Sequence, residues 1–297
     1  MRVGIDLGGT KIEIIAMDDN DNIIYQQRKP TPQDNYKATL ETITELIHTL
    51  EMALGLKTNI GIGTPGAISQ KTGKLKNSNS TCLNDKPLKQ DLEIKLNREI
   101  RTSNDANCFA LSEAVDGAAA GASSVFGVIL GTGTGAGIVI NGKILEGVNR
   151  IAGEWGHNPL PWPKDNERST RCYCGNSGCI ETFLSGPGME ADFLNQSGRS
   201  LKAHQIVERA EQGDSIAEAC LCRHEERLAR SLSHVINIID PEVIVLGGGL
   251  SNIQRLYKNV PRLWGDTVFS DMVLTKLVPP KYGDSSGVRG AARLWGV

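Results

Sequence analysis

The sequence predicts an α/β fold of two domains with a cleft between them. Three observations carry that prediction. An apolar strand pattern runs into a glycine-rich turn at 3–10, 125–135 and 243–249. Helical periodicities lie between these stretches, and a chain of 297 residues, 39% hydrophobic and 22% charged, is long enough for two ordinary cores. The division is expected near residue 117, with 1–117 and 287–297 in a smaller domain and 118–286 in a larger one.

Composition narrows the partners. With 32 basic against 34 acidic residues the net charge is −2, and no run of Lys and Arg offers a nucleic-acid footprint. The N-terminus MRVGIDLGGT enters a strand pattern at once, without the order of charged, apolar and small residues of a leader. The apolar stretch VINIIDPEVIVLGGG is broken by Asp240 and Pro241 and is too short to cross a bilayer. A cytoplasmic protein with neither membrane nor nucleic acid as partner is expected.

In chain order, 2–7, 11–18 and 22–29 read as three strands in tight connection. The first turn, Gly8-Gly9-Thr10-Lys11 with Asp6 at its entrance, has two glycines where a hairpin needs one. Bare backbone N–H groups in such a turn can cradle a phosphate, although neither GxxxxGK nor GxGxxG is present and a plain hairpin is the alternative. Leu40, Ile43, Leu46, Ile47 and Leu50 mark a helix over 34–54, with Asp34 as its cap. NIGIGTPGAI at 59–68 is a buried strand broken at Thr64-Pro65-Gly66, followed by a polar loop holding Asn77 and Asn79.

A helix near 88–97 leads to a strand at 100–103, then to Asn104-Asp105-Ala106-Asn107 and a helix over 106–118. Asp105 stands where an N-cap would, and capping is one of its two readings. In 125–142, Gly131, Gly133, Gly135 and Gly137 alternate with Thr132, Thr134 and Ala136, a density that weakens a strand unless something must approach the backbone. Helices follow near 187–196, 203–211 and 214–239; Cys220 and Cys222 point to different faces of the last, and His204, His224 and His234 read as structural. A buried strand ends at Gly247-Gly248-Gly249 before a helix whose N-terminus suits a phosphate, and a small-residue helix within 283–295 closes the chain onto the first domain.

The segment 157–181 carries the strongest motif. His157, Cys172, Cys174 and Cys179 fall within 23 residues, a full donor set for a closed tetrahedral zinc site, with Gly175 and Gly178 allowing the sulfurs to converge. Seven cysteines, an odd number, in a chain without an export signal argue against a disulfide framework. Four protein ligands leave no open position, so the metal would be structural.

GIDLGGTK at 4–11, GEWGH at 153–157 and CYCGNSGCIE at 172–181 resemble the signature of the ROK family of sugar kinases and repressors, with the match running from residue 4 to about 293. NSTCLN, SEAVDGAAAGA and EWGHNPLPW look most like its bacterial fructokinase and mannokinase branch. The resemblance implies the two-domain actin-like ATPase (ribonuclease H-like) sugar kinase fold, a structural zinc, and ATP with magnesium. It puts magnesium at Asp6 through water, the nucleotide phosphates on Gly8, Gly9, Thr10 and Lys11 and on Gly131, Thr132, Gly133, Thr134 and Gly135, and the adenosine beside Gly247, Gly248 and Gly249.

It puts a sugar against Thr64, Pro65, Gly66, Asn79, Asn104, Glu154, His157 and Glu181, with His157 serving zinc through one ring nitrogen and sugar through the other. Asp105 becomes the general base that takes the proton of a primary hydroxyl as phosphoryl transfer proceeds. The implied reaction is ATP-dependent 6-phosphorylation of fructose, or of mannose or glucose, and dimers are common in the family. The nearest competitor is an N-acetylglucosamine kinase. A non-catalytic sugar-responsive regulator would want a helix-turn-helix module before the DLGGT turn, where five residues precede Asp6.

Overall fold

The computed structural model describes residues 1–78, 80–168 and 170–296. Its first sheet is built from β1 (Arg2–Leu7), β2 (Lys11–Met17), β3 (Ile23–Pro30), β4 (Ile60–Thr64) and β7 (Arg101–Asn104) in the order β3-β2-β1-β4-β7. Between β3 and β4 runs α1 (Tyr36–Leu54). After β4 come the small hairpin β5 (Ala67–Ile68) and β6 (Leu75–Lys76), then α2 (Leu88–Leu96). Leu40, Ile43, Leu46, Ile47 and Leu50 bury one stripe of α1 against Val3, Ile5, Ile12 and Ile14 of the sheet. The cap of α1 is not Asp34, which takes φ +53°, but Asn35, whose Oδ1 accepts from the Ala38 amide at 3.0 Å.

α3 (Asp105–Val115) leads to the second sheet. β8 (Ser124–Leu130), β9 (Thr134–Ile140), β10 (Lys143–Ile144), β11 (Val243–Gly247) and β12 (Lys276–Val278) lie in the order β10-β9-β8-β11-β12. In both sheets the first strand pairs antiparallel with the second and parallel with the fourth. The two halves therefore share one strand plan, which is the physical content of the repeated strand-and-glycine-turn pattern. α4 (Glu181–Leu184), α5 (Gly186–Ser197), α6 (Ala203–Glu211) and α7 (Ser215–Ile239) separate β9 from β11, and α8 (Leu256–Arg262) precedes β12. The 25-residue α7 is capped by Asp214 and buries Leu221, Leu228, Leu232 and Ile236 in the larger core.

The last helix, α9 (Ser286–Ala292), packs on β1, β2 and β4 and crosses α3. The approach is backbone to backbone. A Cβ on Gly290 would stand 1.7 Å from the Cys108 carbonyl oxygen, one on Gly61 1.9 Å from that of Ala291, and one on Gly4 2.2 Å from that of Val288. Arg289 and Arg293 meet Asp116 at 2.5 and 2.8 Å beside the crossing, and Arg293 also meets Asp21 at 2.9 Å. β12 is an element that the sequence reading did not separate from loop, and the helix expected after the three glycines begins at Leu256. Among the described residues no helix is long and apolar enough to cross a membrane.

Because the crossing leaves no room for a methyl group, Gly290→Ala is expected to lower stability by about 1–3 kcal/mol in urea unfolding. An unchanged midpoint would mean that α3 and α9 do not meet at Gly290.

Candidate active site and metal centre

The parallel registers bring three expected residues to one edge. Asp6 pairs with Gly63 and Thr64 with Asn104, so Asp6, the Thr64-Pro65-Gly66 turn and the Asn104-Asp105 turn lie side by side at the carboxyl ends of β1, β4 and β7. Asn104, not Asp105, is the N-cap of α3. Its Oδ1 accepts from the Ala106 amide at 2.9 Å while its Nδ2 donates to the Gly66 carbonyl at 3.2 Å. With capping done by Asn104, Asp105 is the first residue of the helix, its Oδ1 on the Ala106 amide at 2.8 Å. Burial, then the charge of Glu154, push its carboxyl up to about 6 against the hydrogen bonds from the Ala106 amide and Asn104. Burial and the charges of Asp105 and Glu13 push Asp6 up to about 7, with Lys11 opposing. Crowded carboxylates of this kind favour a divalent cation, and Asp6 is the oxygen donor that fits magnesium.

The first glycine turn is tied down on its carbonyl side. Thr31 donates from its hydroxyl to Gly8 and from its amide to Thr10, and Gln33 donates to Gly9. The Gly8 amide is itself engaged, donating to the Lys11 carbonyl at 3.0 Å, so Gly8 offers no free donor. In the second turn Gly131 donates to Gly133 at 2.9 Å and Thr134 donates to the Glu181 carboxylate at 2.9 Å. Thr132 and Gly133 keep amides without a protein partner among the described residues. A Cβ on Gly133 would sit 2.7 Å from Glu181 Oε2, so a side chain there would displace the carboxylate that holds the Thr134 amide.

Glu154, His157 and Glu181 are set by the long loop after β10. Trp155 is buried, its ring edge-to-face on Phe126 at 5.8 Å, and it fixes a single turn of 3₁₀ helix over Trp155–His157. Gly153 and Gly156 let that turn lie on β9, where a Cβ would stand 2.2 Å from the Ala136 oxygen and 1.9 Å from the Thr134 oxygen. Gly175 at φ +93° and Gly178 at φ +72° then bend the chain back on itself.

His157, Cys172, Cys174 and Cys179 converge, their donor atoms all within 4.8 Å of one another. Cys172 Sγ lies 3.6 Å from His157 Nδ1 and Cys174 Sγ 3.6 Å from Cys179 Sγ. Sulfurs bound to zinc at about 2.3 Å stand about 3.8 Å apart in a tetrahedron, so the four donors fit that ion. His157 presents Nδ1 to the thiols and Nε2 to the Tyr173 hydroxyl, at 3.1 Å.

A second clamp holds the loop without metal. Glu167 is buried between Arg227 at 2.7 Å and Arg230 at 2.9 Å, and Arg230 also donates to the Pro161 and Trp162 carbonyls. Desolvation would raise the Glu167 carboxyl, yet hydrogen bonds from Arg227, the Lys164 amide and Arg230 hold it below the usual range.

A cavity of about 740 Å³ opens beside the second turn, between Gly131, Thr132, Gly186, Pro187 and Gly249, with Val207 and Ile253 as apolar wall. His204, read as structural from sequence, lines it, as does Lys202. α5 opens on a cap, Ser185 accepting from the Gly188 amide with Pro187 in the first turn, and the Gly186 amide donates to the Gly131 carbonyl at 2.8 Å, which sets this start beside the second turn. Two expectations change here. Gly249 opens a short 3₁₀ turn, Gly249–Asn252, rather than an α-helix, and Gly247 is glycine because a Cβ would lie 2.6 Å from the Phe109 ring. Asn79 lies outside the described residues.

The chain matches the ROK family over residues 2–296. It belongs to that family. It is 41% identical to the N-acetyl-D-glucosamine kinase of Pasteurella multocida (strain Pm70) over 301 residues, covering 99% of each chain. It is also 41% identical to the N-acetyl-D-glucosamine kinase of Vibrio cholerae over 299 residues, again with 99% of each covered. The ROK hexokinase from Thermus thermophilus superposes with a TM-score of 0.88 at 28% identity, covering 99% of this chain and 97% of that one. The fold is therefore that of the ROK sugar kinases, the actin-like ATPase fold. The likeness to a fructokinase or mannokinase branch is not carried by these relatives, which bear the name N-acetyl-D-glucosamine kinase.

Glu167→Ala, which leaves Arg230 buried without its carboxylate while Arg227 keeps Asp192 at 2.8 Å, is expected to cost about 3–5 kcal/mol in thermal or urea unfolding. A loss below about 1 kcal/mol would show that the loop does not depend on this clamp.

Proposed function

We propose that this chain is an ATP-dependent sugar kinase that phosphorylates the C6 hydroxyl of N-acetylglucosamine. The observation that carries the reading is Asp105: a carboxyl pushed up to about 6, at the carboxyl edge of a sheet, across β4 from Asp6 and within the field of Glu154. N-acetylglucosamine replaces fructose as the preferred substrate because relatives about two-fifths identical over the whole chain are named for it.

In this mechanism Glu154, His157 and Glu181 hold the hydroxyls of the sugar ring, while Asn104, Thr64, Pro65, Gly66 and Asn79 line its other side. Asp105 accepts the proton of the C6 hydroxyl as its oxygen attacks the terminal phosphorus of ATP in line. The free amides of Thr132 and Gly133, with Gly9, Thr10 and Lys11 opposite, receive the phosphate oxygens. A magnesium ion at Asp6 would neutralise charge on the phosphates. The adenosine occupies the cavity beside Gly131, Thr132 and Gly249, with Gly248 shaping the turn below it. We place the domain division at 117, with 1–117 and 287–297 closing on 118–286 so that water is excluded from the transfer. His157, Cys172, Cys174 and Cys179 would hold a zinc ion, which would fix the imidazole and with it the loop.

ATP-dependent turnover of N-acetylglucosamine, glucose, mannose and fructose in one panel tests the reading. N-acetylglucosamine should give the highest kcat/KM, and preference for fructose or mannose would return the chain to that branch. No turnover of any sugar would remove the kinase.

The base has its own signature. Asp105 works only when ionised, and its raised value puts half-ionisation near pH 6, so kcat/KM should fall as pH drops below about 6, not below 4. Asp105→Asn should lower kcat by about 10²- to 10⁴-fold and abolish that acid limb. A variant that keeps the limb would place the base elsewhere.

A further inference from the structure

Tyr173 stands between two of the thiols, and the sequence reading assigned it nothing. It is 76% exposed, yet its ring is held edge-to-face against His157, with centroids 5.2 Å apart and planes at 87°. Its hydroxyl lies 3.1 Å from His157 Nε2. Because Nδ1 is turned toward Cys172 Sγ, Nε2 is the only ring nitrogen left to meet a sugar. One phenol oxygen is thus directed at the imidazole nitrogen proposed to hold the sugar.

A phenol and a sugar hydroxyl are interchangeable at such a point. Each is a neutral O–H that accepts from an imidazole N–H and can donate to a carboxylate. We propose that the Tyr173 hydroxyl is a built-in stand-in for a sugar hydroxyl: it occupies His157 Nε2 in the sugar-free protein, and sugar binding displaces it. One hydrogen bond to Nε2 is broken and one is formed, so the exchange sets the apparent sugar affinity without entering the chemical step. The exposure of Tyr173 leaves its side chain room to move aside, whereas the flanking Cys172 and Cys174 keep its backbone in place.

The inference rests on the sugar-kinase reading, and the two fail differently. Calorimetric titration of N-acetylglucosamine without ATP should show Tyr173→Phe binding about two- to tenfold tighter than the native protein, Tyr173→Ala at least as tight, and kcat unchanged in both. Imidazole ¹⁵N spectra should show the His157 Nε2 resonance shifted by Tyr173→Phe in the free protein, and native and variant spectra converging at saturating sugar. Unchanged or weaker binding in the Phe variant overturns the stand-in while leaving the kinase intact. Tightening in the Ala variant alone assigns the obstruction to the ring and likewise overturns it. If the native protein binds and phosphorylates none of the four sugars, the kinase reading and this inference fall together.

Discussion

The hydrogen bond from the Thr134 amide to the Glu181 carboxylate is the contact on which the proposed site depends. Glu181 begins α4, two residues after Cys179, so it moves with the Cys/His cluster. Thr134 begins β9 and closes the second glycine turn, so it moves with the sheet. Joining them fixes the loop that carries Glu154 and His157 against the turn that offers the Thr132 and Gly133 amides. Gly153 and Gly156 follow from the same constraint, since a side chain at either would collide with the backbone of β9, and one at Gly133 would displace the Glu181 carboxylate. The glycines in this region serve protein packing as much as ligand access.

The fold supplies the rest of the geometry by repetition. Two sheets with one strand order each carry a glycine turn between their first two strands, so two such turns arise from one plan. The α3–α9 crossing joins the halves through bare backbone, and Asp116 with Arg289 and Arg293 surrounds it with charge. In the proposed mechanism motion at that crossing would close the cleft, while Asp105, at the start of α3, lies at the end of the same helix.

Much of this was legible in the sequence because the signals were local. Paired glycines beside Asp6, alternating glycines at 131–137 and the His157, Cys172, Cys174, Cys179 spacing each describe a backbone that needs no distant partner to be recognised. What was missed depends on long-range contact. Asp34 and Asn35 are both competent caps, and only the chain's entry into α1 decides for Asn35. Gly247 has a packing reason for being glycine, the Phe109 ring, that no local pattern shows. β12 is three residues at a sheet edge, too short for alternation to show. The cavity beside Gly131 is assembled from four separated segments, so His204 could not be placed on it from periodicity. The fructokinase and mannokinase branch was read from short motifs, whereas the relatives matched over the whole chain bear the name N-acetyl-D-glucosamine kinase.

The central claim is that the Cys/His cluster, by fixing His157 and Glu181, builds the sugar site. The most direct test is calorimetric binding of N-acetylglucosamine to protein stripped of zinc by a chelator, then restored with one equivalent of the ion. The account predicts that stripping removes sugar binding and that restoration returns it. Stripped protein that binds the sugar with native affinity would contradict it.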